Sequence, residues 1–78
     1  MTSLTEEIEA LILAEIPGAI VTATGGGGHF TIKVISEAFR GKNRIQKQRM
    51  VYKAIWDLMK GDNAPVHAVD QMICEVPE

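Results

Sequence analysis

Four consecutive glycines lead directly into a segment in which polar and apolar residues alternate. The alternating segment covers residues 29–36 and follows Gly25, Gly26, Gly27 and Gly28. A period of two indicates a half-buried β-strand, with Phe30, Ile32 and Val34 on the buried face. Because the β-branched segment 19–24 precedes the glycines, we predict two strands joined by a flexible glycine loop. The glycines also allow close approach of another molecule to the sheet.

Two helices and a third strand are predicted around this hairpin. The first helix begins after the capping residue Ser3 and stops at Pro17. A short helical turn is expected around Phe39, followed by a long amphipathic helix over 44–60, a turn over 62–65 and a last strand over 66–76. A helix that connects two strands favours parallel pairing of those strands. We therefore predict an α+β fold, αββααβ, with a mixed three-stranded sheet and the helices on one face.

Length and composition predict one domain over residues 1–78 with a thin core. The longest apolar run, residues 10–14, is far shorter than a membrane span. The acidic start of the chain does not resemble a secretory signal or an organelle transit peptide. A single cysteine, Cys74, forms no internal disulfide, and we expect it to be a small, partly buried residue. These features predict a cytoplasmic protein.

Charge is distributed unevenly along the chain. Residues 1–37 contain five acids and one base, whereas residues 38–56 contain six bases and no acid. A block of one sign attracts nucleic acid or an acidic protein face, although a solvated helix surface shows the same pattern. The bases that we expect to contact a partner are Arg40, Lys42, Lys47, Arg49 and Lys53.

His29 and His67 are the only histidines, and each lies near the start of a predicted strand. Neutral imidazole binds iron, zinc or copper, although isolated histidines are more often surface or hydrogen-bonded residues. Two histidines leave a four-ligand site incomplete, so a metal bound here needs ligands from a second molecule. Cys74 lies seven residues after His67, on the opposite face of a regular strand, so we predict that they share no metal unless a bulge intervenes. No nucleophile or carboxylate pair is placed for catalysis, which predicts a non-enzymatic protein.

Four segments in a fixed order resemble the BolA family. They are residues 29–36, Phe39-Arg40-Gly41-Lys42, residues 46–52 with Arg49-Met50-Val51-Tyr52, and Val66-His67-Ala68-Val69. The resemblance covers about residues 29–69 and implies a fold similar to class II KH domains.

The resemblance also implies a role in iron–sulfur handling. BolA-like proteins bind monothiol glutaredoxins, and the two proteins together hold a bridging [2Fe–2S] cluster that the isolated BolA-like chain lacks. The glutaredoxin side supplies its cysteine and a glutathione thiolate. On this chain the resemblance assigns His67 as one ligand and leaves His29 as the only ligand-type residue near the second position. The expected function is cluster transfer or iron sensing, with the basic segment docking the partner.

Two other functions stay open on sequence grounds. BolA-like proteins are also described as transcriptional regulators, so an alternative is a nucleic-acid-binding regulator that uses the basic segment 40–53. That alternative predicts steep salt dependence of binding. A small sheet also leaves its strand edges open, which allows a weak homodimer.

Overall fold

The computed structural model describes residues 3–61 and 64–77, which form two α-helices, a 3₁₀ turn and one sheet. The elements are α1 (Leu4–Glu15), β1 (Ile20–Gly26), β2 (His29–Ile35), the 3₁₀ turn (Glu37–Phe39), α2 (Arg44–Met59) and β3 (Ala68–Glu75). The strand order is β1-β2-β3, with β1 antiparallel and β3 parallel to β2. The predicted α+β fold with a mixed three-stranded sheet is confirmed.

Both α-helices begin at capping side chains. The hydroxyl of Ser3 accepts a hydrogen bond from the backbone N–H of Glu6 at 3.2 Å, as predicted. Asn43 and Gln46 each accept from the other's backbone N–H, at 2.9 and 3.0 Å, and form a capping box that was not predicted. After α2, Gly61 has a φ of 92°, which suits a glycine that ends a helix. Residues 62 and 63 of the predicted turn lie outside the described residues.

The hydrophobic core lies between one face of the sheet and the two helices. The predicted buried face of β2 is confirmed, and α2 contributes Val51 and Ile55 to the core. Other fully buried side chains are Ile8, Ile12, Phe39 and Val66. The opposite face of the sheet is left open, and it carries His29 and Lys33. Among residues 3–61 and 64–77, neither helix is both long enough and apolar enough to span a bilayer.

The glycine run forms a tighter hairpin than predicted. β1 continues through Gly25 and Gly26, which pair with Phe30 and His29, so only Gly27 and Gly28 make the turn. These two glycines have φ values of 63° and 85°. Two successive positive φ angles are what a type I′ turn requires, and its twist matches that of the flanking strands. The predicted four-residue loop is therefore wrong, because the strand pairing continues up to a two-residue turn.

Candidate functional site

His29 and His67 lie at the same end of the sheet. Because β2 and β3 are parallel and both start there, their first residues are neighbours. His29 pairs with Ala68, the residue that follows His67. The backbone N–H groups of His67 and Ala68 both donate to the carbonyl oxygen of Gly28, at 2.8 and 3.0 Å. We refer to Gly28, His29, His67, Ala68 and Asp70 as the histidine end.

Gly28 makes room for the imidazole ring of His67. A Cβ atom added at Gly28 would collide with Cδ2 of that ring. The φ of Gly28, 85°, also lies in the left-handed region that favours glycine. The close approach that the glycines permit is thus made within the chain, by the side chain of His67.

The ring of His29 is oriented by Asp70. Nδ1 of His29 lies 3.0 Å from Oδ1 of Asp70, and the two side chains are 60% and 59% exposed. An ionised carboxylate only accepts hydrogen bonds, so Nδ1 carries the proton of the neutral ring. In that tautomer Nε2 carries the lone pair, which is the atom through which a neutral imidazole can bind a metal.

Asp70 is a site residue that the sequence analysis missed. Phe30 pairs with Val69 and Thr31 pairs with Gln71, so Asp70 is the extra residue of a β-bulge. The contact between Asp70 and His29 depends on this register between β2 and β3, which are paired in the sheet but far apart in the sequence. In the sequence, the only indication that Asp70 could belong to the site was its position two residues after the Val-His-Ala motif.

The histidine end carries two candidate metal ligands, His29 and His67. Within residues 3–61 and 64–77, no three His, Cys, Asp or Glu side chains come together in a way that would hold a metal ion. A metal centre at this end therefore needs further ligands from a second molecule, as the residue count predicts. Both histidines are exposed, so such a molecule can reach them.

Cys74 lies away from the histidine end. It is half-buried, as predicted, and burial raises the pKa of its thiol, while the positive charge of Lys47 lowers it. The bulge at Asp70 removes the alternation on which the prediction about His67 and Cys74 relied. Seven residues at about 3.3 Å each nevertheless place the two side chains roughly 20 Å apart along the strand. Strand length, and not the strand face, keeps them from sharing a metal.

The five bases predicted to contact a partner are spread over the structure. Arg40 forms a hydrogen-bonded ion pair with Glu37, which lowers the pKa of the Glu37 carboxyl. Lys53 forms an ion pair with Glu15 at 3.2 Å, and Lys42 is exposed in the connector before α2. The remaining two bases, on α2, are Lys47 and Arg49.

The bases of α2 face two directions. At about 3.6 residues per turn, Arg49 and Lys53 lie on a side of α2 nearly opposite to Arg44 and Lys47. The basic run in the sequence is therefore not one basic stripe in the structure.

A groove of about 550 Å³ lies between α2 and β3. One wall consists of strand residues 69–74, and the other is formed by Arg44, Lys47, Gln48 and Tyr52. We call this feature the β3 groove. Arg44 was not among the predicted site residues, because only the packing of α2 against β3 distinguishes it from the other bases.

Similar sequences and similar folds occur among known proteins. A family model described as "BolA-like protein" matches residues 4–76. The acid stress protein IbaG of Escherichia coli K12 is 32% identical over 63 residues, which are 81% of this chain and 73% of IbaG. A BolA protein homologue from Coxiella burnetii is 27% identical, with a TM-score of 0.76 over 99% of this chain and 94% of that one. BolA1 from Arabidopsis thaliana, 17% identical, has a TM-score of 0.82 over 99% of this chain and 95% of its own, which supports the fold alone.

Proposed function

This chain belongs to the BolA family, and on that premise we propose that it is a non-enzymatic adaptor in iron–sulfur handling. In this proposal the chain pairs with a monothiol glutaredoxin, and the two proteins hold a [2Fe–2S] cluster between them for cluster transfer or iron sensing. The identity of the partner comes from the family resemblance. The observation that carries the proposal is the presence of two exposed histidines at one end of the sheet.

The donor set of the histidine end fits a shared cluster. His67 and His29 would supply two nitrogen ligands, and thiolates from the partner side would supply the others. Imidazole ligation raises the reduction potential of a [2Fe–2S] cluster and makes ligation sensitive to protonation. These properties suit a cluster that is passed on or sensed better than one that is permanently structural.

Other residues of the histidine end hold the two rings ready for a partner. The backbone hydrogen bonds to Gly28 place His67, and the carboxylate of Asp70 orients His29. Gly26 and Ala68, which have no side chain or a small one, flank His29 on the neighbouring strands, and the His29 side chain is 60% exposed. His29 lies on the open face of the sheet and both imidazoles are exposed, so a second protein can reach them.

A titration with cluster-loaded monothiol glutaredoxin tests this function. We expect the wild-type chain to change the visible absorption and circular dichroism of the cluster and to co-elute with the glutaredoxin. His67→Ala should abolish both effects, and His29→Ala should weaken them. Lys33→Ala, on the same open sheet face but away from the histidine end, is the matched control and should behave as wild type. An unchanged spectrum without co-elution of the wild-type chain would overturn the proposal.

A further inference from the structure

The two outer edges of the sheet differ in how they are covered. At the β1 edge, the carboxylate of Glu9 in α1 accepts a hydrogen bond from the backbone N–H of Ala23 at 3.0 Å. A helix side chain thus occupies a donor that another strand would need. β3 pairs with β2 on one side, and no further strand of the described residues pairs with its other side. The outer edge of β3 therefore keeps backbone groups available for an added strand.

The β3 groove follows this open edge. Its strand wall consists of the six consecutive residues 69–74. Because successive side chains of a strand point to opposite faces, a groove that touches every residue runs along the edge of the strand and not along one face. An extended peptide lying in the groove would therefore lie beside the backbone of β3.

The helix wall of the β3 groove is positively charged. Arg44 and Lys47 lie on it, and neither forms an ion pair with another residue of the described chain. Asp70, on the strand wall, is engaged by His29. Gln48 and Tyr52 add side-chain hydrogen-bonding groups. The groove is therefore complementary to a segment that carries negative charge.

We propose that the β3 groove binds an extended acidic segment of a protein partner by β-strand addition. The backbone of the segment pairs with the outer edge of β3, and its carboxylates contact Arg44 and Lys47. The groove shares Asp70 with the histidine end, but strand addition uses the backbone edge of β3 and the charges of Arg44 and Lys47, none of which is a cluster ligand in the proposed function.

The features of the groove favour a peptide over single-stranded nucleic acid. A strand edge offers N–H and carbonyl groups that match another peptide backbone. Single-stranded nucleic acid instead needs aromatic rings for base stacking, and Tyr52 is the one aromatic residue among the described residues that line the groove.

The proposal can be tested by NMR. The isotopically labelled full chain is titrated with a capped peptide of about ten residues in which threonine and glutamate alternate. We expect amide shifts concentrated at residues 69–74 and in the first two turns of α2. The same peptide N-methylated through its central residues has lost its backbone donors and should bind at least about tenfold more weakly. A threonine–lysine peptide should not bind, because its charge has the wrong sign.

Paired substitutions in α2 locate the charge contribution. Arg44→Ala with Lys47→Ala should raise the Kd for the acidic peptide about tenfold. Arg49→Ala with Lys53→Ala removes the same charge from the far side of α2 and should change the Kd by about twofold or less. Equal losses in the two pairs would overturn the proposal, as would equal binding of the N-methylated peptide or no binding of the acidic peptide at millimolar concentration.

Two other occupants of the groove are distinguished by further results. Tighter binding of a short oligothymidylate would assign the groove to nucleic acid, and self-association through β3 would assign it to a second copy of this chain. Either result contradicts the proposal.

Discussion

The histidine end and the β3 groove are built by different kinds of contact. At the histidine end, the position of each ring follows from strand register, a backbone carbonyl and one carboxylate of the adjacent strand. In the β3 groove, one wall is a helix whose placement depends on the burial of Val51 and Ile55. The comparison shows that strand pairing places the candidate ligands of this fold, whereas helix packing places its available charge.

The largest effect should come from filling the space that His67 occupies over the turn. Gly28→Ala adds a methyl group that collides with the imidazole and also forces a positive φ on alanine. We expect it to lower the free energy of unfolding by about 2–3 kcal/mol, measured by urea denaturation.

Gly27→Ala is the matched control for that substitution. Gly27 also has a positive φ, but a Cβ added there meets no neighbouring atom. It should cost about 1 kcal/mol, from backbone strain alone. Equal losses at the two positions would show that the His67 ring does not need the space at Gly28.

A smaller effect on stability, but a clear spectroscopic one, is expected for Asp70→Ala. Asp70 and His29 are both exposed, so the loss in unfolding free energy should be below about 1 kcal/mol. The proton of the neutral His29 ring should move from Nδ1 to Nε2 once its carboxylate acceptor is gone.

Long-range ¹⁵N–¹H correlation spectra of the imidazoles report this change directly. They should be recorded at about pH 8.5, above the range in which histidine ordinarily titrates. The ring of His67 serves as an internal reference and should not change. A wild-type His29 ring already protonated at Nε2 would contradict the role of Asp70.

The smallest effect concerns Cys74, beside the β3 groove. Because burial raises the pKa of the Cys74 thiol, the folded chain should react with iodoacetamide more slowly at neutral pH than a free cysteine does. The raised pKa means that the native state holds the thiol proton more tightly than the unfolded state. The free energy of unfolding should therefore fall as the pH rises above 9.0, the ordinary pKa of a cysteine thiol.

Lys47→Ala sharpens the test of Cys74. Lys47 lowers the thiol pKa, so its removal should slow alkylation further, by about two- to threefold. In denaturant, the wild type and the variant should react at the same rate. A faster reaction in the folded variant would show that Lys47 shields the thiol instead of stabilising its charged form.

Much of the fold was predictable because its signals are local. Alternation over 29–36, the cap at Ser3 and the stop at Gly61 each involve residues close together in the chain. The boundary of β1 was not predictable in the same way. Gly25 and Gly26 have no side chains to show which face they occupy, and only their pairing with β2 places them in the strand.

The candidate site was predictable in residue type but not in arrangement. His29 and His67 were selected by their chemistry and by the family resemblance, and the structure brings them to one end of the sheet. Asp70 was not selected because its position is set by a bulge in the pairing of β2 and β3, two strands that are far apart in the sequence. Arg44 escaped because the helical period groups the bases of α2 by side but does not reveal which side lies next to β3.

Selective labelling of this chain with ¹⁵N-histidine shows whether its imidazoles ligate the iron of the shared cluster. The labelled chain is combined with unlabelled, cluster-loaded glutaredoxin, the complex is reduced by one electron, and pulsed electron paramagnetic resonance is recorded. We expect ¹⁵N hyperfine couplings from directly bound imidazole nitrogen in the wild-type complex, and His67→Ala, which should abolish complex formation, should give no such couplings. A stable complex whose spectrum shows no ¹⁵N coupling would contradict this expectation, because the iron would then be ligated without the histidines of this chain.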